Sequence, residues 1–201
     1  QLETRNKIFN EVELADVKAK LESQPKYKDL RLAINLLYTY RIRGAEQLRI
    51  KIGMFDFKQN LLLLPTQVEE NGEMVNMTKN GMAAAFKLSD DVVEMVIDYI
   101  GDDNMKNKHF YLFGGHNKPK EKKCNKQFMT NLWTKFKTEF DLPEHLKWYA
   151  LKHTSNSKTL LTTGSDQLSI INRHLDANQI NTYTAEMRRK QIIEVDDSHK
   201  F

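Results

Sequence analysis

Four short stretches of this 201-residue chain hold the side chains that could do chemistry. Arg43 opens Arg43-Gly44-Ala45-Glu46-Gln47-Leu48 directly after an apolar segment. Lys79 sits at a turn signal, Lys79-Asn80-Gly81. Residues 148 to 154 read WYALKHT, and residues 173 to 183 read RHLDANQINTY, with His174 nine residues before Tyr183. The types are cations, which stabilise developing negative charge, and a tyrosine hydroxyl, which can attack as a covalent nucleophile. Taken singly, each has an ordinary structural reading. An arginine three residues before a glutamate is commonly a helical ion pair. A lysine in a β-turn serves solubility, and Tyr149 with Lys152 one turn later reads as a core aromatic beside a solvated neighbour. His174 and Tyr183 read by default as a packing histidine and a partly buried tyrosine. The six histidines and one cysteine show no metal-ligand spacing, and no glycine loop of the nucleotide-binding kinds is present.

The elements that must position these residues follow from periodicity. Apolar residues recur at helical spacing over 12–23, ended by Pro25, and over 28–39. A further short helix is expected over 45–50. Ile52 to Phe57 and Leu61 to Leu64 read as strands, as do 74–78 and 82–88, with Lys79 on the turn between the last two. Asn71-Gly72 marks another turn. Ser89 reads as the N-cap of a helix whose first turn holds Asp90 and Asp91, favourable to its dipole. Phe128, Leu132, Phe136 and Phe140 mark an amphipathic helix over 125–140, ended by Pro143. Helices are then expected over 149–162, 166–174 and 178–187. Helices, a small antiparallel sheet and more helices make a mostly α, α+β domain.

Charge is segregated along the chain. The 31 basic and 27 acidic residues leave only +4. Residues 89–103 nevertheless hold six acids and no Lys or Arg, while residues 104–158 hold twelve lysines against four acids. Lys118, Lys120, Lys122, Lys123 and Lys126 cluster beside Gly114-Gly115. Such a segment is either a solvated surface loop or a contact for a phosphate backbone. The single Cys124 permits no internal disulfide, which fits a reducing compartment. The longest conspicuous apolar run, Leu61 to Leu64, is far too short to span a membrane.

In combination, the four stretches resemble the catalytic domain of the tyrosine recombinases, the phage and mobile-element integrases. YTYRIRGAEQL at 38–48 is similar to the block with the family's first catalytic arginine, at Arg43, and its acidic partner, at Glu46. Lys79 in MTKNG resembles the lysine carried on a β-hairpin. Tyr149-Ala150-Leu151-Lys152-His153-Thr154 holds the place of the His-x-x-Arg pair and its following His-Thr, and Gly164-Ser165-Asp166 that of a Gly-x-Asp connection. His174 and Tyr183 keep the spacing of the third basic residue and the nucleophile. Two positions depart: Tyr149 replaces the usual histidine and Lys152 the second arginine. A lysine neutralises charge without arginine's two-toothed grip, and a tyrosine with a pKa near 10 is a poor base at neutral pH.

The resemblance implies site-specific DNA recombination through a 3′-phosphotyrosine at Tyr183, with Arg43, Lys152 and His174 on the phosphate and Lys79 as general acid. It implies no cofactor and no metal, double-stranded DNA as partner, self-association on DNA as a tetramer, no membrane, and the bacterial cytoplasm. It also turns the lysine cluster into a backbone-contacting loop, with the acidic helix facing away. Residues 11–187 are then the catalytic domain and 1–10 a linker remnant. Residues 188–201 form a C-terminal tail that could pack on a neighbouring protomer. The chain lacks an initiator Met and has no room for the family's preceding helical domain, so it reads as the C-terminal part of a longer integrase. The alternatives are a catalytically impaired DNA-binding protein on the same fold, a type IB topoisomerase-like relaxing enzyme, and a helical protein-interaction domain with no DNA affinity.

Overall fold

The computed structural model describes residues 8–163, 192–193 and 201. Helix α1 covers Glu11–Glu22, and its first turn is fixed by Asn10, which accepts from the Glu13 N–H at 2.9 Å while Glu13 accepts from the Asn10 N–H at 2.8 Å. Helix α2, Lys28–Tyr38, is buried on nearly every side, from Leu30 and Leu32 to Ile34, Leu36 and Leu37. A helix covered on nearly every side is central, and α1, the short α3 (Gly44–Gln47), α4 (Asp90–Ile100), α5 (Phe128–Glu139) and α6 (Ala150–Thr163) all pack against α2 or follow from its end. Each fully buried leucine of this hub contributes roughly 1.5–3 kcal/mol of transfer free energy.

Three small sheets decorate the helices. Strands β1 (Phe55–Asp56), β2 (Leu61–Leu64) and β5 (Ala84–Lys87) are antiparallel, and β8 (Ile192–Ile193) joins the β5 edge in parallel, Ala85 opposite Ile192. Strands β3 (Gln67–Glu70) and β4 (Glu73–Asn76) form a separate ribbon closed by Asn71-Gly72, both at positive φ. Strands β6 (Tyr111–Gly115) and β7 (Lys118–Lys120) form another. Among the described residues no helix is long and apolar enough to cross a membrane.

The α+β, mostly helical class expected from the sequence is the one observed. Several local expectations change. Residues 52–54 form a 3-10 turn rather than strand, because Ile52 and Gly53 donate sideways to Phe110 O and Lys108 O, at 2.9 and 2.8 Å. The helix expected over 45–50 stops at Gln47. β3 was hidden by its Gln, Glu and Glu, and β7 by its two lysines and Pro119. The sheet is not wholly antiparallel, since β8 runs parallel to β5. Ser89 does precede α4, but its side chain makes no capping bond; its hydroxyl lies 3.4 Å from that of Tyr40 instead. The expected helices at 166–174 and 178–187 lie outside the described residues.

Candidate functional site

Arg43 is placed by the end of α2. The chain leaves the helix at Thr39, passes Arg41 at φ 57°, and returns so that the Ile42 N–H donates to Leu36 O at 3.0 Å. Gln47, fully buried, secures the turn through its amide, which donates to Ala33 O at 2.9 Å and Ile42 O at 2.8 Å. Arg43 then opens α3, and Glu46 reaches back to it. One Glu46 oxygen accepts the Arg43 backbone N–H at 2.8 Å; the other faces Arg43 Nη1 at 3.2 Å. That second oxygen also accepts the backbone N–H of Lys79 at 3.3 Å. A single carboxylate with 3% side-chain exposure therefore joins the arginine to the lysine turn.

The Lys79 turn is built by Thr78. Its buried hydroxyl donates to Met82 O at 2.9 Å and accepts the Met82 N–H at 3.1 Å, while the Gly81 N–H donates to Thr78 O at 3.0 Å. Gly81 takes φ 65°, where a side chain would be strained and would also press on Asn76. Lys79 is left exposed on this turn. The turn does not close a hairpin, as the resemblance implied: β4 pairs with β3 and β5 with β2, so Lys79 lies on the crossover between two sheets.

Tyr149 and Lys152 stand at the start of α6. Gly44 faces this segment: a Cβ there would lie 3.7 Å from Trp148 Nε1 and 4.0 Å from Met129 Cγ. The ordinary reading of the pair is inverted. Lys152 is the buried member, 4% exposed, with its ammonium 5.9 Å from the Tyr149 ring centre, and Tyr149 is 41% exposed. His153 sits edge-on to Tyr149, ring centres 5.3 Å apart. Burial, and after it the charge of Lys152, hold the His153 imidazole below its ordinary value. Its folded pKa lies below the unfolded one. The stabilisation is thus present above the unfolded pKa of about 6.5 and is lost as the pH falls through the folded value. A proton NMR titration should place the His153 midpoint below 6.5; a midpoint above it would mean that neither burial nor Lys152 governs the ring.

The lysine segment is a strand and a loop, not a loop throughout. Lys118 and Lys120 are exposed on β7, either side of buried Pro119, and Lys122 and Lys126 lie beyond it, both exposed. Gly114 lets β6 approach β7 closely, since a Cβ there would collide with the backbone nitrogen of Lys120. Lys123 is otherwise engaged: its ammonium lies 2.5 Å from Glu70, which also pairs with Arg49 at 2.9 Å. Burial raises the Glu70 pKa, but the hydrogen bonds from Lys123 and Arg49 outweigh it and the carboxyl is held below its ordinary range. The β6–β7 turn is anchored by Asp29 of α2, fully buried, which lies 2.8 Å from His116 Nδ1 and accepts the Asn117 N–H at 2.6 Å. The Tyr99 hydroxyl also donates to Asp29, and burial followed by that carboxylate raises the tyrosine's pKa.

The described residues thus bring Arg43, Glu46 and Lys79 together directly. They place Tyr149 and Lys152 on the segment that follows Trp148. His174 and Tyr183 lie outside the described residues. Sequence reasoning missed Asp29, Arg41, Arg49 and Glu70, since an isolated charge carries no local sign of burial or of its partner. Among the described residues no group of three or more His, Cys, Asp or Glu could hold a metal ion.

Comparison with known proteins bears on the family. The phage integrase family matches residues 7–191. The chain belongs to the phage integrase family. Solved structures share its fold. The integrase of the Tn1549 transposon, in complex with circular intermediate DNA, superimposes with a TM-score of 0.65 at 14% identity, over 95% of this chain and 69% of that one. The same integrase with transposon right-end DNA gives a TM-score of 0.67 at 13% identity, over 92% of this chain and 66% of that one. XerA recombinase gives 0.57 at 14% identity, over 91% of this chain and 62% of that one. No curated protein matches the sequence. The tyrosine-recombinase catalytic-domain fold expected from the resemblance is the one observed, and this integrase-family chain spans about two thirds of the Tn1549 integrase chains.

Proposed function

We propose that this chain performs site-specific DNA recombination by cutting and rejoining strands through a phosphotyrosine at Tyr183. The observation that carries the reading is the Glu46 carboxylate, which holds Arg43 and the Lys79 turn in one place. In the reaction, the Tyr183 hydroxyl gives its proton to water as its oxygen bonds to phosphorus, and the bond to the 5′ oxygen breaks. Arg43, Lys152 and His174 stabilise charge on the non-bridging oxygens. Lys79, exposed on its turn, gives the leaving 5′ oxygen a proton. A 5′ hydroxyl of another strand then attacks the phosphotyrosine and releases the enzyme. The cations neutralise the phosphate, so no step is assigned to a metal. Residues 11–187 form the catalytic domain, acting on double-stranded DNA as part of a tetramer in the bacterial cytoplasm. The tail at 188–201 packs on a neighbour in that assembly, although Ile192 and Ile193 pair with β5 of their own chain here.

A nicked suicide substrate tests the reading, because loss of the short 5′ fragment traps the covalent complex. Its appearance on a denaturing gel is expected; DNA binding without any adduct would overturn the enzyme reading. That second outcome is the mark of a DNA-binding protein lacking catalysis, a reading favoured by Tyr149 and Lys152 in place of His and Arg. Relaxation of supercoiled plasmid without exchange between sites would instead mark a topoisomerase-like enzyme.

The basic surface gives a separate prediction. Changing Lys118, Lys120 and Lys122 to glutamine should weaken binding to DNA of any sequence. It should also flatten the slope of log K against log salt by up to about 2.7, near 0.9 for each phosphate no longer neutralised. Fluorescence anisotropy across a salt series checks this, and an unchanged slope refutes it. Lys123→Gln should change the slope less than any one of these, because its ammonium is held 2.5 Å from Glu70 and away from a phosphate.

A further inference from the structure

Arg41 lies two residues before Arg43 and takes no part in the reaction above. It is 3% exposed, and at φ 57° it holds a left-handed conformation that costs any residue but glycine or asparagine. Its guanidinium is spread between two helices. Towards α2, Nη1 donates to the carbonyls of Tyr38 and Thr39, the latter at 2.7 Å. Towards α6, Nη2 donates to Ser155 O at 3.1 Å and to Thr159 Oγ1, and Nε donates to Asn156 Oδ1 at 3.1 Å. Ser155 Oγ closes the seam by donating to Tyr38 O at 2.6 Å. A cation at the carbonyl end of α2 also matches that helix's dipole. Burial pushes the guanidinium down to about 10, so it remains charged at neutral pH.

We propose that Arg41 is a positioning residue: by clamping α6 to the end of α2, it sets the placement of Lys152 relative to Arg43. The inference rests on the recombination reading for its effect on catalysis, and on the hydrogen bonds alone for the clamp. Arg41 stands two residues upstream of Arg43, and its α6 partners begin three residues after Lys152. A planar fork with five donors can bind both helices at once; lysine, with one nitrogen, cannot. Glycine suits φ 57° better than arginine does, so Arg41→Gly relieves the backbone while deleting the guanidinium and its hydrogen bonds. This separates the clamp from a mere need for a turn.

The test uses the full chain with Arg41→Gly, Arg41→Lys and Thr159→Val. Hydrogen exchange of amides 151–160, single-turnover cleavage of the suicide substrate at saturating DNA, and the DNA dissociation constant are measured. In Arg41→Gly, exchange across α6 is expected to rise at least about 10-fold relative to α1 and α4. Cleavage should slow by about 100-fold, the scale of a misplaced catalytic group, while the dissociation constant moves less than about 2-fold. Arg41→Lys should not rescue the rate. Thr159→Val, which cuts one arm, should move exchange and rate in the same direction by a few-fold, and it carries the test if the Arg41 variants do not fold. Unchanged α6 exchange overturns the clamp. Raised exchange with an unchanged cleavage rate overturns the positioning role, as does a loss of binding equal to the loss of rate. If the unaltered chain forms no covalent complex, the recombination reading falls, and the exchange result still decides whether Arg41 holds α6.

Discussion

Tyr183→Phe is expected to abolish covalent attachment to DNA while leaving binding within about 2-fold. Phenylalanine keeps the ring and removes only the oxygen, so the ring still meets DNA and the nucleophile is gone. Loss of a covalent nucleophile costs roughly 10⁴-fold or more in rate, because no neighbouring group replaces the bond it makes. The readout is a labelled suicide substrate on a denaturing gel, beside a mobility shift under native conditions. An adduct of normal yield in the Phe variant would move the nucleophile to another residue and remove the meaning of the His174 spacing.

Glu46→Ala should be nearly as damaging, for a different reason. The carboxylate accepts from two backbone N–H groups and pairs with the guanidinium of Arg43, whose side chain is only 15% exposed. Removing one partner of a buried pair leaves the other charge uncompensated and costs on the order of 3–5 kcal/mol. Part of that loss appears as stability. The rest appears in catalysis, since Arg43 and the Lys79 turn lose their common anchor; a shift of about 1 Å in such groups costs roughly 100-fold. Urea denaturation and single-turnover cleavage measure the two parts. Glu46→Gln tests the geometry further, because it keeps one acceptor and should retain more stability than alanine. A Glu46→Ala chain with unchanged stability and rate would refute the anchoring role.

Much of the fold is legible in the sequence where the signal is local. The 3.6-residue pattern of α2 and of α4, the Asn71-Gly72 turn and the four-residue spacing through Phe128, Leu132 and Phe136 each express one element's own preference. The order Arg43, Glu46, Lys79, Lys152 is also visible as spacing. What spacing does not supply is the partner. Nothing near Glu46 says that one of its oxygens reaches Lys79, 33 positions away. Lys123 looks like its neighbours in a basic run until the β3–β4 ribbon brings Glu70 against it. Tyr149 and Lys152 have exposures opposite to those their residue types suggest, because helical spacing tells which residues share a face but not which face meets the core. β7 is hidden since its two lysines and a proline oppose strand propensity, and pairing with β6 across a bulge overrides it.

The seam between α2 and α6 has a consequence for how the chain is made. The Phe9 N–H bonds to Thr154 across 145 positions, and Tyr38 O is reached by Ser155 across 117. During synthesis at roughly 5–20 residues per second, α2 therefore exists for on the order of ten seconds before its last partner emerges. Throughout that interval the central, most fully buried helix of the fold has one flank uncovered. Completion of the fold is thus a late event, timed by the arrival of the same helix that carries Lys152, and nascent chains stalled before Ala150 are the species most in need of chaperone cover.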